Sequence, residues 1–437
     1  LRLGYDRRAE NPSLSTADPE PRMDHPSSRA VASSLALAAA LVAAPDLRAQ
    51  SGTATKRLVK ADPAAARLER RPAAPPSFVS AGANPSILLT GYWPPSNEAI
   101  RRFSPSPVQN PQGWIGQNWE NRGYDVYSYF PEFSPPTCTS CGKGTGDLEV
   151  DYQDTSVDFW NIANAVKPIA IITFSRSSSS LNWEVEMNQY NRTSWINDYV
   201  NPKQPTPTPP DPSVPAGTLR RSSLPVQQIV NDVAAQFPGL NSFICFTGDG
   251  GGFLSEFMAY HGVWYRGVHA SPADPDWCVA AGHIHVGKNI AWATAQAAAE
   301  VSLRALIQHV DAIRAQTVCQ TDLGSGGPGN SALALCGDPL QTGGEADLLL
   351  SGAPASTPVH FFAGLGQGQT PLGLGTFVPT APLVEFVVPT DADGQILLPS
   401  VPGGGGPVSA YLQAAYPDAG VPGGIGLSNA LKVDLLP

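Results

Sequence analysis

Apolar and polar positions follow two rhythms along the first three quarters of the chain. "SILLTG" (86–91), "YDVYSYF" (124–130), "PIAIITF" (168–174), "NSFICFTG" (241–248) and "CVAAGHIHVG" (278–287) are short runs rich in β-branched and aromatic residues, the mark of strands. Between them, "DTSVDFWNIANAV" (154–166), "LPVQQIVNDVAAQF" (224–237), residues 252–267 and the Ala-rich 288–315 repeat their apolar positions at helical spacing. Strand and helix in alternation predict an α/β fold, a mostly parallel twisted sheet flanked by helices on both faces. Its working site is then expected at the carboxyl ends of the strands.

The rhythm breaks twice. "NPKQPTPTPPDPSVPAG" (201–217) holds too many prolines for helix or central strand and reads as an extended surface loop. Beyond residue 316, short apolar runs such as "ADLLLSG", "VHFFAG" and "LVEFVVP" sit between Gly/Pro turns with almost no helical period, which predicts an all-β sandwich over 317–437. The α/β domain then spans 84–316, and residues 51–83, rich in Ala, Pro and basic side chains, read as a disordered linker.

Ahead of the linker, Met23 opens a segment with Arg29, an apolar run from Ala30 to Ala44 and small residues near Ala49, the layout of a signal peptide over 23–50. Residues 1–22 are patternless and read as an upstream artefact, and no stretch has the length of a transmembrane span. A secreted, extracellular or periplasmic protein is expected. Six cysteines fit an oxidising compartment. Cys138 and Cys141 suggest a local disulfide or free thiols, Cys319 and Cys336 a bridged hairpin, and Cys245 and Cys278 a further bridge. Charged residues are 15 % of the chain and the net charge is −10, which argues against a nucleic-acid partner; oligomeric state is not legible.

Three sets of residues compete for chemistry. In the first, Ser255 follows the glycines of "DGGGFLSEFMAYHG" at the start of an expected helix, with His285 of "GHIHVG" and Glu184 or Glu186 of "NWEVEMN" elsewhere. Backbone N–H groups at Gly251, Gly252 and Phe253 can hold an oxyanion, and a histidine supplies the base that a serine needs. The ordinary reading is a tight turn with a first-turn serine. In the second, His283 and His285 share a strand face and could bind a metal with His261, Asp249, Asp151 or Asp154. The third is the thiols, with Cys245 read as buried or bridged. Carboxylates in "DYQDTSVDFW" and "NWEN" raise a glycosidase, but read more simply as helix starts and caps.

Five pieces in series decide among these. "ILLTGYWPP", "QNPQGW", "LPVQQIV", "GGFLSEFMAYHG" and "GHIHVG" match in order and spacing the opening strand and loop, N-P-S-W element, L-P-x-x-x-I helix start, nucleophile segment and F-I-H-(V/I)-P strand end of the pyroglutamyl-peptidase I family. From Ser86 to about Ala312 the chain resembles these cysteine peptidases. The resemblance implies His285 as base, an acid within "NWEVEMN", and Ser255 in the place of the family's cysteine. Glu184 is favoured as the acid, with a one-residue slip taken up in "RSSSSLN". Tyr92 holds the place of one ring-sandwiching aromatic, Trp93 adds bulk, and Pro95 stands where the second aromatic is expected. The expectation is a secreted hydrolase of a peptide or other small amide-containing ligand through Ser255, His285 and Glu184, without cofactor or metal. The alternatives are an inactive binding or cell-surface protein on the same fold and a metal-dependent hydrolase using His283 and His285.

Overall fold

The structure, a computed structural model, describes residues 84–138, 141–248 and 250–437. The expected signal peptide and linker lie outside the described residues. Eight strands build the first part: β1 (Ser86–Thr90), β2 (Asp125–Tyr129), β3 (Pro168–Ser177), β4 (Asn182–Glu186), β5 (Asn188–Tyr190), β6 (Leu219–Arg221), β7 (Asn241–Cys245) and β8 (Ala280–Gly287). Six of them form a sheet in the order β2-β1-β3-β8-β4-β7, and β5 pairs with β6 alone.

The central strands are apolar at successive positions because both faces are covered. Ile87 and Leu89 point into a core with Ile172, Val185 and Leu306, beneath helices Ser96–Ile100, Val226–Gln236 and Trp292–Gln316. Leu88 points the other way, to Ile171, Phe159, Phe257 and Ala281 beneath helices Tyr152–Val166 and Leu254–Val268. Asp151 caps the first turn of Tyr152–Val166 by accepting from the N–H groups of Gln153 and Asp154.

The sheet is less parallel than its grammar predicts. β2, β1, β3 and β8 run together, but β4 is antiparallel to β8 and β7 is parallel to β4. The cause is the length of residues 178–181, which join β3 to β4 across the end of β8. A parallel crossover needs a dozen or more residues, so so short a link must reverse the chain. It passes close over Gly287, where an added Cβ would meet the Asn182 nitrogen at 2.6 Å and the Ser180 carbonyl at 2.7 Å.

Residues 318–435 add ten strands: β9 (Val318–Cys319), β10 (Thr321–Asp322), β11 (Ala332–Gly337), β12 (Glu345–Ser351), β13 (Pro358–Leu372), β14 (Gly375–Pro389), β15 (Ile396–Pro402), β16 (Val408–Pro417), β17 (Ile425–Leu427) and β18 (Leu431–Leu435). They form antiparallel sheets β10-β18-β16-β13-β14, with β17 on β16, and β15-β12-β11-β9. Leu335, Leu348, Phe361, Leu412 and Val433 share one core between them. The Cys319–Cys336 disulfide ties β9 to β11, and Cys138 is bonded to Cys141. Ala273, just before β8, packs with Cys336 and Leu349 and joins the two parts.

The proline-rich loop is pinned rather than free. Asn191 bonds both the N–H and the carbonyl of Asp211, and Gln153 donates to the Gln204 carbonyl at 2.7 Å. Asp211, fully buried, accepts from Arg220 at 2.8 Å and from the Tyr260 hydroxyl at 3.1 Å. Removing one partner of a buried ion pair costs about 3 kcal/mol or more. Urea unfolding of Asp211→Ala is therefore expected to show a loss of about 3 kcal/mol; a loss under about 0.5 kcal/mol, the level of an ordinary surface change, contradicts the pinning.

Candidate active site

The site grows from one face of the sheet. Strand register sets Thr173, His283, Glu186 and Cys245 in one row across β3, β8, β4 and β7, and Ser175, His285, Glu184 and Phe243 in the next. Polar side chains so far inside must find partners. His283, fully buried, finds two: Nδ1 lies 2.8 Å from the Thr173 hydroxyl and Nε2 2.8 Å from that of Ser175. With both nitrogens engaged it is a core histidine, and the pair His283 and His285 makes no metal site. Buried His261 is likewise engaged, by Ser156 and the Phe257 carbonyl, and Asp151 is a helix cap. Asp249 lies outside the described residues.

His285 is different. Its Nδ1 lies 3.0 Å from Oε1 of Glu186, whose residue is 2 % exposed. The carboxylate that His285 meets is therefore Glu186 and not Glu184, the one favoured as the acid. Glu184 stands directly opposite His285 in the ladder and is half-buried, yet the imidazole reaches diagonally to Glu186. Strand side chains lean along the strand, so the nearest residue in register need not be the bonded one. The ring carbon between its two nitrogens comes close to the glycine turn: a Cβ added to Gly250 would lie 3.4 Å from His285 Cε1.

Ser255 comes to the same glycine. It is 9 % exposed, in the first turn of helix Leu254–Val268, and its hydroxyl donates to the Gly250 carbonyl at 3.1 Å rather than to His285. Gly251 and Gly252 have φ of +93° and +63°, conformations that only glycine adopts without strain. The turn is held from within by fully buried Glu256, which accepts from the Gly252 N–H at 2.9 Å and is paired with Arg192. Arg192 also donates to the Gly248 carbonyl at 2.7 Å, and the Ile196 N–H bonds the Gly252 carbonyl at 2.7 Å. The Gly252 N–H is thus spent on Glu256 and is not an oxyanion donor. The N–H groups of Phe253, Leu254 and Ser255 have no hydrogen-bond partner among the described residues, as expected at a helix start.

The aromatic expectations divide. Tyr92, expected at the pocket, is fully buried with its hydroxyl on Thr155. Trp93 stacks on Phe253 with centroids 5.9 Å apart, and Tyr199 meets Phe253 from another side at 6.4 Å. An aromatic wall therefore borders the turn. Tyr190, Arg192, Thr193, Ser194 and Gly217 line an open cleft of about 400 Å³. Cys245 and Cys278 are free thiols rather than a bridge. Cys278 stands five residues before His283, in whose row Cys245 lies, so the two are separated by about 16 Å along the strand direction, far beyond disulfide reach. Burial pushes the Cys278 thiol up to about 12. The carboxylates of "NWEN" and "DYQD" serve structure: Glu120 pairs with Arg304, and Asp151 caps. Arg192 and Glu256 belong to no motif that singles them out in the sequence.

No protein-family model matches the chain, and no curated protein matches it. Among solved structures it is similar to pyroglutamyl peptidase I from Bacillus amyloliquefaciens, with 15 % identity over 52 % of this chain and 97 % of that one and a TM-score of 0.36. Pyrrolidone carboxyl peptidase from Thermococcus litoralis is similar at 15 % identity, covering 52 % and 96 %, with a TM-score of 0.38. A mutant pyrrolidone carboxyl peptidase from Pyrococcus furiosus follows at 14 %, 52 %, 99 % and 0.36. Likeness at this level leaves the chemistry to the residues themselves.

His283 makes the face sensitive to acid. Burial, and then the neighbouring His285, hold its imidazole well below the usual histidine range, so it stays neutral while the unfolded chain takes up a proton below about pH 6.5. The unfolded state then binds more protons, and stability falls as the pH drops, by about 1.4 kcal/mol between pH 7.5 and 5.5 for one such group. Denaturation of His283→Asn at both pH values should show a pH dependence smaller by about that amount; an unchanged dependence refutes the assignment.

Proposed function

We propose that the chain is an exported hydrolase of amide or related acyl bonds, with Ser255 as nucleophile, His285 as base and Glu186 as the residue that orients His285. The observation that carries this reading is the Glu186–His285 hydrogen bond at 3.0 Å, with the imidazole Cε1, between the two ring nitrogens, close to the glycine whose carbonyl also receives the Ser255 hydroxyl. Two disulfides, and no helix among the described residues long and apolar enough to cross a membrane, accord with export.

In this mechanism the Ser255 hydroxyl turns about its side-chain torsion from Gly250 to His285 Nε2, a hydrogen bond that commonly tightens only when substrate binds. Attack on the acyl carbon passes the hydroxyl proton to Nε2, and Glu186 stabilises the imidazolium through Nδ1–H. The negative oxygen is held by the N–H groups of Phe253, Leu254 and Ser255 at the positive end of the helix. His285 then returns the proton to the leaving amine, and water hydrolyses the acyl-serine by the same route. The wall of Trp93, Phe253 and Tyr199 suits a peptide or other small amide-bearing ligand. No cofactor is called for. A second reading, a binding protein on this fold, is favoured by one observation: the serine hydroxyl already has a partner in Gly250.

A fluorophosphonate probe separates the two. The wild-type chain is expected to be labelled at Ser255 and Ser255→Ala not at all, with His285→Ala slowed by about 10²–10⁴-fold. Glu186→Gln should be slowed far more than Glu184→Gln. A folded wild-type chain that takes no label establishes the binding protein instead.

A further inference from the structure

We propose that Cys245, Glu186 and Glu184 form a binding site for a zinc-class divalent cation beneath the Glu186–His285 pair. Glu186 and Cys245 face each other in the β4–β7 register, and Glu184 lies two residues back on the same face. One sulfur and two carboxylate oxygens, one from each residue, lie within 4.8 Å of one another. Around a tetrahedral zinc, with sulfur at about 2.3 Å and oxygen at about 2.0 Å, such donors sit about 3.5 Å apart. Side-chain rotations of about 1 Å would therefore close the set.

An independent observation points to a ligand. Glu186 is 2 % exposed, and while its Oε1 meets His285, its Oε2 is buried with no hydrogen-bond partner. A carboxylate oxygen taken out of water with only the neighbouring Cys245 thiol to meet it is costly, and a cation that replaces the thiol proton removes that cost. Cys245 is free, 8 % exposed, and its sulfur lies 3.1 Å from the Thr247 hydroxyl. A thiolate in the set selects zinc or cadmium over magnesium or calcium. Half-buried Glu184 supplies the way in, and β7 is the last strand of its sheet. A cation on Oε2 would draw the carboxylate's charge away from His285, which ties the site to the proposed catalysis; binding itself does not depend on Ser255 being a nucleophile.

The test uses Co²⁺ as probe on the purified full chain, followed by displacement with Zn²⁺. One Co²⁺ per chain is expected, with a thiolate-to-cobalt absorption band in the near ultraviolet that Zn²⁺ abolishes. Cys245→Ser should lose the band and Cys278→Ala keep it, while Glu184→Gln and Glu186→Gln should each weaken binding by about tenfold or more, a step in keeping with loss of one carboxylate ligand. In parallel, Zn²⁺ should protect Cys245 from alkylation, read by mass spectrometry. No thiolate band in the wild-type chain, or a band that survives Cys245→Ser, overturns the proposal, whatever the outcome of serine labelling.

Discussion

A carboxylate buried to 2 % exposure and answered by an imidazole at 3.0 Å is the constraint around which the rest of this molecule is arranged. Glu186 could not sit there unmatched, since an isolated buried charge costs several kcal/mol. Its position follows from the reversal of β4. Because residues 178–181 are too few to cross back, β4 runs against β8, and its carboxyl end delivers Glu186 beside His283 and His285 in the middle of the sheet. The short link over Gly287 is therefore as much a part of the site as the side chains it aligns.

The second arm of the site is a glycine turn made rigid by charge. Its backbone visits conformations closed to other residues, and left alone such a segment would be mobile. Buried Glu256 takes the Gly252 N–H, Arg192 pairs with Glu256 and holds the Gly248 carbonyl, and Ile196 holds the Gly252 carbonyl from above. The strap that carries Arg192 and Ile196 continues into the proline-rich loop, which Asp211 anchors to Arg220 and Tyr260. The loop that breaks the α/β rhythm thus helps to hold the turn to which Ser255 and His285 both come.

Much of this was legible in the chain. The strand and helix runs fall close to where periodicity sets them, and register puts His285 and both carboxylates of "NWEVEMN" on one face. What was not legible has physical causes. A five-residue apolar run has no direction written in it, so the reversal of β4 and β7 had to come from loop length and pairing. Alternation says that Glu184 and Glu186 share a face but not which of them the ring leans toward. Tyr92 reads as a pocket aromatic beside a loop, yet its hydroxyl finds Thr155 in the core. His283 enters one alternative as a metal ligand, yet two hydroxyls from a strand distant in sequence occupy it. Tertiary partners decided each case, and none lies within helical or strand reach of the residue concerned.

The claim at the centre is that Glu186 fixes the proton of His285 on Nδ1 and leaves Nε2 as the acceptor. Nitrogen-15 NMR of the imidazole reads this directly. The account predicts an Nδ1–H tautomer for His285, with a hydrogen-bonded proton signal that disappears in Glu186→Gln and persists in Glu184→Gln. An Nε2–H tautomer, or a signal that responds to Glu184 and not to Glu186, contradicts it.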